Sequence, residues 1–292
     1  MTVSVIVPCL KRDDAAERCL AEIRRQAASG GAELDLVVIE GVSPYARAVN
    51  EGLRRSVGDY IAWVDADDEV LEGWWQAICH AVESRPDVVV MGWRDEQSSA
   101  DLAWMPSSGN AARNLLRSVL RDDAPCSFLW NKVMRKELWE GERFDECWRF
   151  QADFGLLPQV LRKARTVVAI DRPLYWYRFN PESISRKETP MHWKELLDVR
   201  WRRFEDWRRT DFTREALTPF VTTASWRYAT AVSEGLRLNA DALLAEQRRR
   251  LRGCLLTVWR TRADWQCRVR AILFVLGWTW PQRLSFWIHG VK

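Results

Sequence analysis

Short apolar runs alternate with amphipathic stretches through the first 95 residues, and this rhythm constrains the fold more than any other property of the chain. Val3 to Pro8 and Leu34 to Glu40 read as strands, with an amphipathic helix through Leu20 and Ile23 between them. A second helix is signalled by Ser43 at its N-cap and Pro44 at its first position, and runs through Ala46, Arg47, Asn50 and Leu53. Tyr60 to Asp65 is a third strand and Asp87 to Trp93 a fourth. Strands joined by crossover helices predict an α/β fold with a mostly parallel sheet. Further on, Asp95 to Gly109 reads as loop, a helix is expected around Asn114 to Leu120, and Phe128 to Met134 and Thr166 to Ile170 are β-like.

From Pro190 the pattern becomes helical. Trp193, Leu196, Leu197, Trp201, Phe204 and Trp207 recur every three or four residues, so the expected domains are 1–189 and 190–292. The two halves also differ in charge. Residues 1–189 carry 25 Lys and Arg against 30 Asp and Glu, a net −5; residues 190–292 carry 19 against 10, a net +9. A basic tail in a chain with 18 tryptophans suits an anionic partner, either phospholipid headgroups or nucleic acid, and the absence of a nucleic-acid recognition module ranks that second choice last. The segment Arg268 to Ile288 has an apolar run, Ala271 to Trp280, that is too short for the ~20 residues a bilayer span needs. It is expected either to lie in the membrane interface or to pack as a helix on the first domain.

The seven cysteines are scattered and form no Cys-x-x-Cys pair, which argues against a disulfide framework or a zinc site and fits a reducing cytoplasm. The N-terminus enters a strand pattern at Val3 without the features of a secretory signal, and His80, His192 and His289 have no metal-ligand spacing.

The third strand stops at Asp65-Ala66-Asp67-Asp68. Three carboxylates in four positions at the carboxyl edge of a sheet lie where α/β folds bind ligands, and they suit a hard divalent cation that also takes phosphate oxygens. The alternative is that Asp68 or Glu69 caps the next helix.

Taken together, the motifs across residues 3–186 resemble those of family-2 glycosyltransferases with the GT-A nucleotide-sugar-binding fold, the type that builds bacterial surface polysaccharide or lipopolysaccharide. Val3-Ser4-Val5-Ile6-Val7-Pro8 is similar to that family's opening strand and Val37-Val38-Ile39-Glu40-Gly41 to its second. Ala46-Arg47-Ala48-Val49-Asn50-Glu51-Gly52 is similar to its Ala-Arg-Asn helix, and Asp65-Ala66-Asp67 to its DxD motif. Trp130-Asn131-Lys132, Ala152-Asp153, Tyr175-Trp176-Tyr177-Arg178 and Ser183-Ile184-Ser185 resemble its later signatures. Two departures stand out. Glu40 reaches Ser43-Pro44 almost directly, where the family has a further α/β unit, and Ala152 occupies a position where the family carries Glu.

The resemblance implies an inverting, metal-dependent transfer of sugar from a nucleotide diphosphate, uridine-linked by expectation, to a glycan or lipid-linked acceptor, in the cytoplasm or peripherally on the inner face of the membrane. Pro8, Glu40, Arg47, Asn50, Asp65, Ala66 and Asp67 are then expected at the donor. Asp67, with Asp65, would hold Mn²⁺ or Mg²⁺, since a cation there stabilises the departing diphosphate. The Arg47 fork suits a diphosphate; its alternative is a surface ion pair. Asp153 is the expected base for the acceptor hydroxyl, its alternative being an acid favoured by a helix N-terminus. Trp148, Asn131 and Lys132 are expected at the acceptor, and Trp63 beside a sugar. For Asn131 and Lys132 the alternatives are a turn residue and a solvated lysine. A rival function is a GT-A-fold binding or scaffold protein that has lost turnover and docks at the membrane.

Overall fold

A computed structural model of the chain describes residues 1–123, 128–149, 152–180, 189–233, 241–242, 244–261 and 265–278, with only the backbone described at 190 and 191. The Ser183-Ile184-Ser185 signature, His289 and the expected terminal segment beyond Trp278 lie outside the described residues. Two compact units are present, Met1–Arg186 and Lys187–Lys292.

The first unit is built on β1 (Thr2–Cys9), β2 (Glu33–Glu40) and β3 (Tyr60–Trp63), which are parallel neighbours in the order β2-β1-β3. Val3, Val5, Ile6 and Val7 of β1 are fully buried, as expected of a strand covered on both faces. On one side Val3, Val5 and Val7 join Cys19, Leu20 and Ile23 of α1 (Asp14–Ala27) and Trp74, Trp75 and Ile78 of α3 (Trp74–Glu83). On the other, α2 (Tyr45–Arg55) approaches so closely at Gly52 that a Cβ there would meet Ile6 Cγ2 at 2.4 Å. Helix α1 starts where Asp13 accepts the Ala15 and Ala16 N–H groups, both at 3.1 Å, and closes with Arg24 and Arg25 in its last turn. Helix α2 begins one residue later than expected, with Pro44 as its cap and no side-chain capping bond, so Ser43 does not cap it.

Strand β5 (Val88–Asp95) follows α3, and the stretch expected as loop contains β6 (Ala100–Leu102), which pairs back onto β5. After α4 (Ala111–Leu120), capped by Asn110, comes β7 (Lys132–Arg135). It runs antiparallel between β3 and β5 and makes the sheet mixed. A 3-10 turn (Lys136–Trp139), α5 (Ala152–Leu161) and β8 (Val167–Tyr177) complete the unit, with β8 parallel to β5 and carrying the two-residue β4 (Glu69–Val70) on its far side.

In the second unit, α6 (Pro190–Trp207), α7 (Thr213–Ser233), α8 (Ala245–Gly253), α9 (Leu255–Arg260) and α10 (Trp265–Leu276) enclose a core that includes Leu197, Phe204, Phe220, Val221, Leu251 and Phe274. Thr189 and His192 form a reciprocal capping box at the start of α6, which gives His192 its role. No helix among the described residues is long and apolar enough to cross a membrane.

Candidate active site

Strand register alone brings the chemistry-bearing segments to one edge. Cys9 pairs with Glu40 and Ile6 with Trp63, so the ends of β1 and β2 and the acidic turn after β3 lie side by side. Because β7 is reversed, its first residues, preceded by Asn131, start at this same edge. The last residues of β8 arrive there too, with Tyr175 opposite Val70 and Trp176 opposite Glu69.

Within the acidic turn the three carboxylates have different surroundings. Asp67 is exposed, and its Oδ2 accepts the Asn180 amide at 2.7 Å. Asp65 is half-buried and accepts the Tyr45 hydroxyl at 3.3 Å. Asp68 is buried, accepting the Tyr175 hydroxyl at 2.7 Å and the Arg178 N–H at 2.8 Å. It therefore fastens the turn to β8 and caps no helix; α3 starts after Gly73 without a side-chain cap. Trp130 fixes the Tyr175 ring by stacking at 4.6 Å, and Phe128 and Tyr177 stack on Trp130 in turn. Arg178 lies over Trp176 at 4.2 Å and pairs with Glu96 at 3.2 Å. The Tyr-Trp-Tyr-Arg signature is thus the strap that holds the acidic turn.

Burial, followed by the charges of Asp67 and Asp153, pushes the Asp65 carboxyl up to about 7, with the Tyr45 hydrogen bond opposing. Burial, then the charges of Asp65 and Asp153, raises the Tyr45 hydroxyl well above its ordinary value. Asp153, half-buried in the first turn of α5, is thereby placed close enough to the acidic turn to act on both groups, although 85 or more residues separate it from them. Tyr45, which sequence reasoning passed over, donates to Asp65 and feels the charge of Asp153; its only signal was its place at the start of the Ala-Arg helix. Cys19 lies beneath the turn, and burial followed by the nearby carboxylates pushes its thiol up to about 12, which removes it as a nucleophile.

Glu40 is exposed at the end of β2, and Pro8 is half-buried beside it. Arg47 is exposed on α2 and makes no side-chain hydrogen bond or ion pair with the described residues, while its charge helps to lower the Glu146 carboxyl behind the stronger effects of Arg143 and Asn50. Ala66 packs half-buried on the core.

Several expected contacts take another form. Both ends of the Asn50 amide are used on the segment before α5, donating to the Phe144 carbonyl (2.9 Å) and Glu146 (3.0 Å) and accepting the Phe144 N–H (2.9 Å). Asn50 therefore ties α2 to that segment. Asn131 and Lys132 are fully buried, because β7 lies in mid-sheet; the Lys132 ammonium donates to the Phe128 carbonyl at 2.6 Å and to Asn131 Oδ1 at 2.7 Å. They organise the sheet edge from within and offer no surface to an acceptor. Trp63 is also fully buried, against Trp139 at 4.8 Å, and cannot touch a sugar. Trp148 is half-buried in the segment that leads to α5.

Asp65 and Asp67 offer carboxylate oxygens of the kind a hard divalent cation takes, but no group of three or more His, Cys, Asp or Glu side chains placed to hold a metal occurs among the described residues.

Comparison with known proteins gives the same picture. Residues 43–141 match the family model for glycosyl transferase family 2. The chain is 26% identical over 232 residues to the uncharacterized glycosyltransferase EpsJ of Bacillus subtilis, covering 67% of this chain and 65% of that protein. It is 25% identical over 174 residues to glycosyltransferase GlyG of Streptococcus pneumoniae, covering 55% and 58%. The match spans less than two thirds of the length of either relative. Among solved structures, S. aureus TarS 1–349 in complex with UDP-GlcNAc superimposes with a TM-score of 0.63 at 13% identity, covering 98% of this chain and 92% of that one. The same TarS fragment with UDP gives 0.55 at 14% identity, over 99% and 92%. At such identities the likeness is one of fold.

Proposed function

We propose that the chain, whose residues 43–141 match the model of glycosyl transferase family 2, transfers a sugar, with inversion, from a uridine diphosphate donor to a hydroxyl of a glycan or lipid-linked acceptor. What supports this reading is that the charge of the half-buried Asp153 acts on both Asp65 and Tyr45, as expected of a base serving a donor held at the Asp65–Asp67 turn.

In this reading Glu40 accepts hydrogen bonds from the base or ribose at the end of β2, and Arg47 uses its uncommitted fork on the diphosphate. Asp67, with Asp65, would hold Mn²⁺ or Mg²⁺, which when bound supplies the positive charge that stabilises the departing diphosphate. Asp153 takes the proton of the acceptor hydroxyl as the acceptor oxygen bonds to the anomeric carbon. The bond from that carbon to phosphate breaks on the opposite face, and the nucleoside diphosphate leaves. Support for the uridine choice comes from the fold neighbour solved with UDP and UDP-GlcNAc. Support for an acceptor in cell-surface polysaccharide is the family resemblance alone, and such an acceptor would place the work on the cytoplasmic face of the membrane.

Nucleotide release from a panel of UDP-sugars, with Mn²⁺ or with EDTA, tests the proposal. Metal-dependent release with at least one donor is expected. Tight donor binding without release across a broad acceptor panel would instead favour a scaffold.

A further inference from the structure

Helix α10 is apolar on two opposite faces, and packing accounts for only one of them. Cys267, Ala271, Phe274 and Val275 are buried in the second unit's core. Trp265, Val269, Ile272 and Leu276 are 70%, 43%, 37% and 53% exposed. Their spacing of four, three and four residues puts them in one stripe along the side of the helix turned away from that core. Trp259 and Leu256 of α9 are 56% and 73% exposed, and Trp278, just past α10, is 57% exposed. Arg268 joins the two helices: its guanidinium lies 5.2 Å over the Trp259 ring and donates to the Trp259 carbonyl at 3.3 Å.

The free charge beside this stripe is positive. Between Gln247 and Trp278 the sequence has eight arginines against Asp264; Arg248, Arg249 and Arg250 are already paired with Asp241, Glu246 and Asp198. Arg252 and Arg260 are exposed and form no ion pair among the described residues. The partner that fits is therefore apolar and anionic together. A second copy of the chain, docked stripe to stripe, would bring arginine against arginine.

We propose that the α9–α10 face, led by Trp259, Trp265, Val269 and Ile272, seats on an anionic phospholipid surface. Tryptophan rings favour the level of the headgroups, and arginines beside them meet lipid phosphate. At 12 residues α10 is only ~18 Å long, well short of the ~30 Å hydrocarbon core, so the contact is peripheral. The inference stands on the second unit alone and does not depend on the sugar-transfer reading.

Flotation of the full-length protein with vesicles of phosphatidylcholine, and of phosphatidylcholine mixed with phosphatidylglycerol, tests it. The wild type is expected to float with the anionic vesicles, less so in high salt, and weakly with the neutral ones. The variant Trp265→Ser/Val269→Ser/Ile272→Ser leaves the buried face intact and should lower partition by about tenfold or more. Circular dichroism checks its fold, and Trp265→Gln, a change at the most exposed of these rings, replaces it should the triple variant fail to fold. Wild-type protein that never floats with anionic vesicles, or a folded variant that floats as well as wild type, overturns the proposal. So does a concentration-dependent dimer that the variant abolishes in the absence of any vesicle binding, which would give the face to a second copy.

Discussion

Tyr175 serves Asp68 and the turn that carries it with one hydroxyl: its proton goes to Asp68 Oδ2 at 2.7 Å, and its oxygen accepts the Asp65 N–H at 3.1 Å. A residue at the end of β8 thereby sets the shape of a turn more than 100 residues earlier in the chain. Trp130, stacked on the Tyr175 ring, keeps that hydroxyl in place.

Removing the hydroxyl in Tyr175→Phe leaves Asp68 buried with one donor fewer. The variant should lose about 1–3 kcal/mol in urea unfolding and bind UDP more weakly, because the Asp65–Asp67 turn is no longer fixed. Unchanged stability would show that the strap is dispensable.

Asp65 gives a pH signature. Its folded-state value of about 7 lies above the ~3.9 of an unfolded aspartate, so the folded state holds the proton more tightly and ionisation costs stability. That cost is absent below about pH 4, grows as pH rises and is complete above about pH 7. Asp65→Asn should therefore gain stability over wild type on going from about pH 5 to about pH 8, on the order of 1–3 kcal/mol in metal-free buffer. Urea unfolding of both proteins at the two pH values reads this directly, and a difference that does not vary with pH contradicts it.

Asp67→Asn tests the cation. With UDP present, Mn²⁺ should raise the melting temperature of the wild type and leave that of the variant nearly unmoved, each measured against its own metal-free value. An equal Mn²⁺ shift in both proteins would place the ion elsewhere.

Arg47→Ala separates a diphosphate contact from a surface ion pair. No described partner depends on the side chain, so stability should move by less than about 0.5 kcal/mol. UDP affinity should fall by about tenfold or more, the scale of a charge-assisted hydrogen bond. Calorimetric titration with UDP checks both the loss and the failure of Arg47→Lys to restore it fully, since lysine lacks the planar fork.

What the sequence reveals here is what is local. The apolar runs in β1, β2 and β3 show in the sequence, and Asp65 to Asp68 show as a cluster. Strand β7 has four residues and no periodicity to give away its reversed direction, and β4 has two. Lys132 reads as solvated because lysine usually is; only its place in mid-sheet buries it. The positions of Tyr45 beside Asp65 and of Asn50 against Phe144 arise from contacts over 20 and 94 residues, which no window of sequence reports. Trp63 illustrates the opposite error: closeness in sequence to the acidic turn suggests a sugar contact, but β3 is covered on both faces and the ring is buried against Trp139.

The central claim is that Asp153 takes the acceptor proton opposite a donor held by the Asp65–Asp67 turn. Turnover of Asp153→Asn and of wild type, measured as UDP released from the best UDP-sugar with acceptor and Mn²⁺ present and with donor affinity determined in parallel, tests it most directly. The account predicts a loss of about 10²–10⁴ in turnover at nearly unchanged donor affinity. Turnover equal to wild type would contradict it and remove Asp153 from the chemistry.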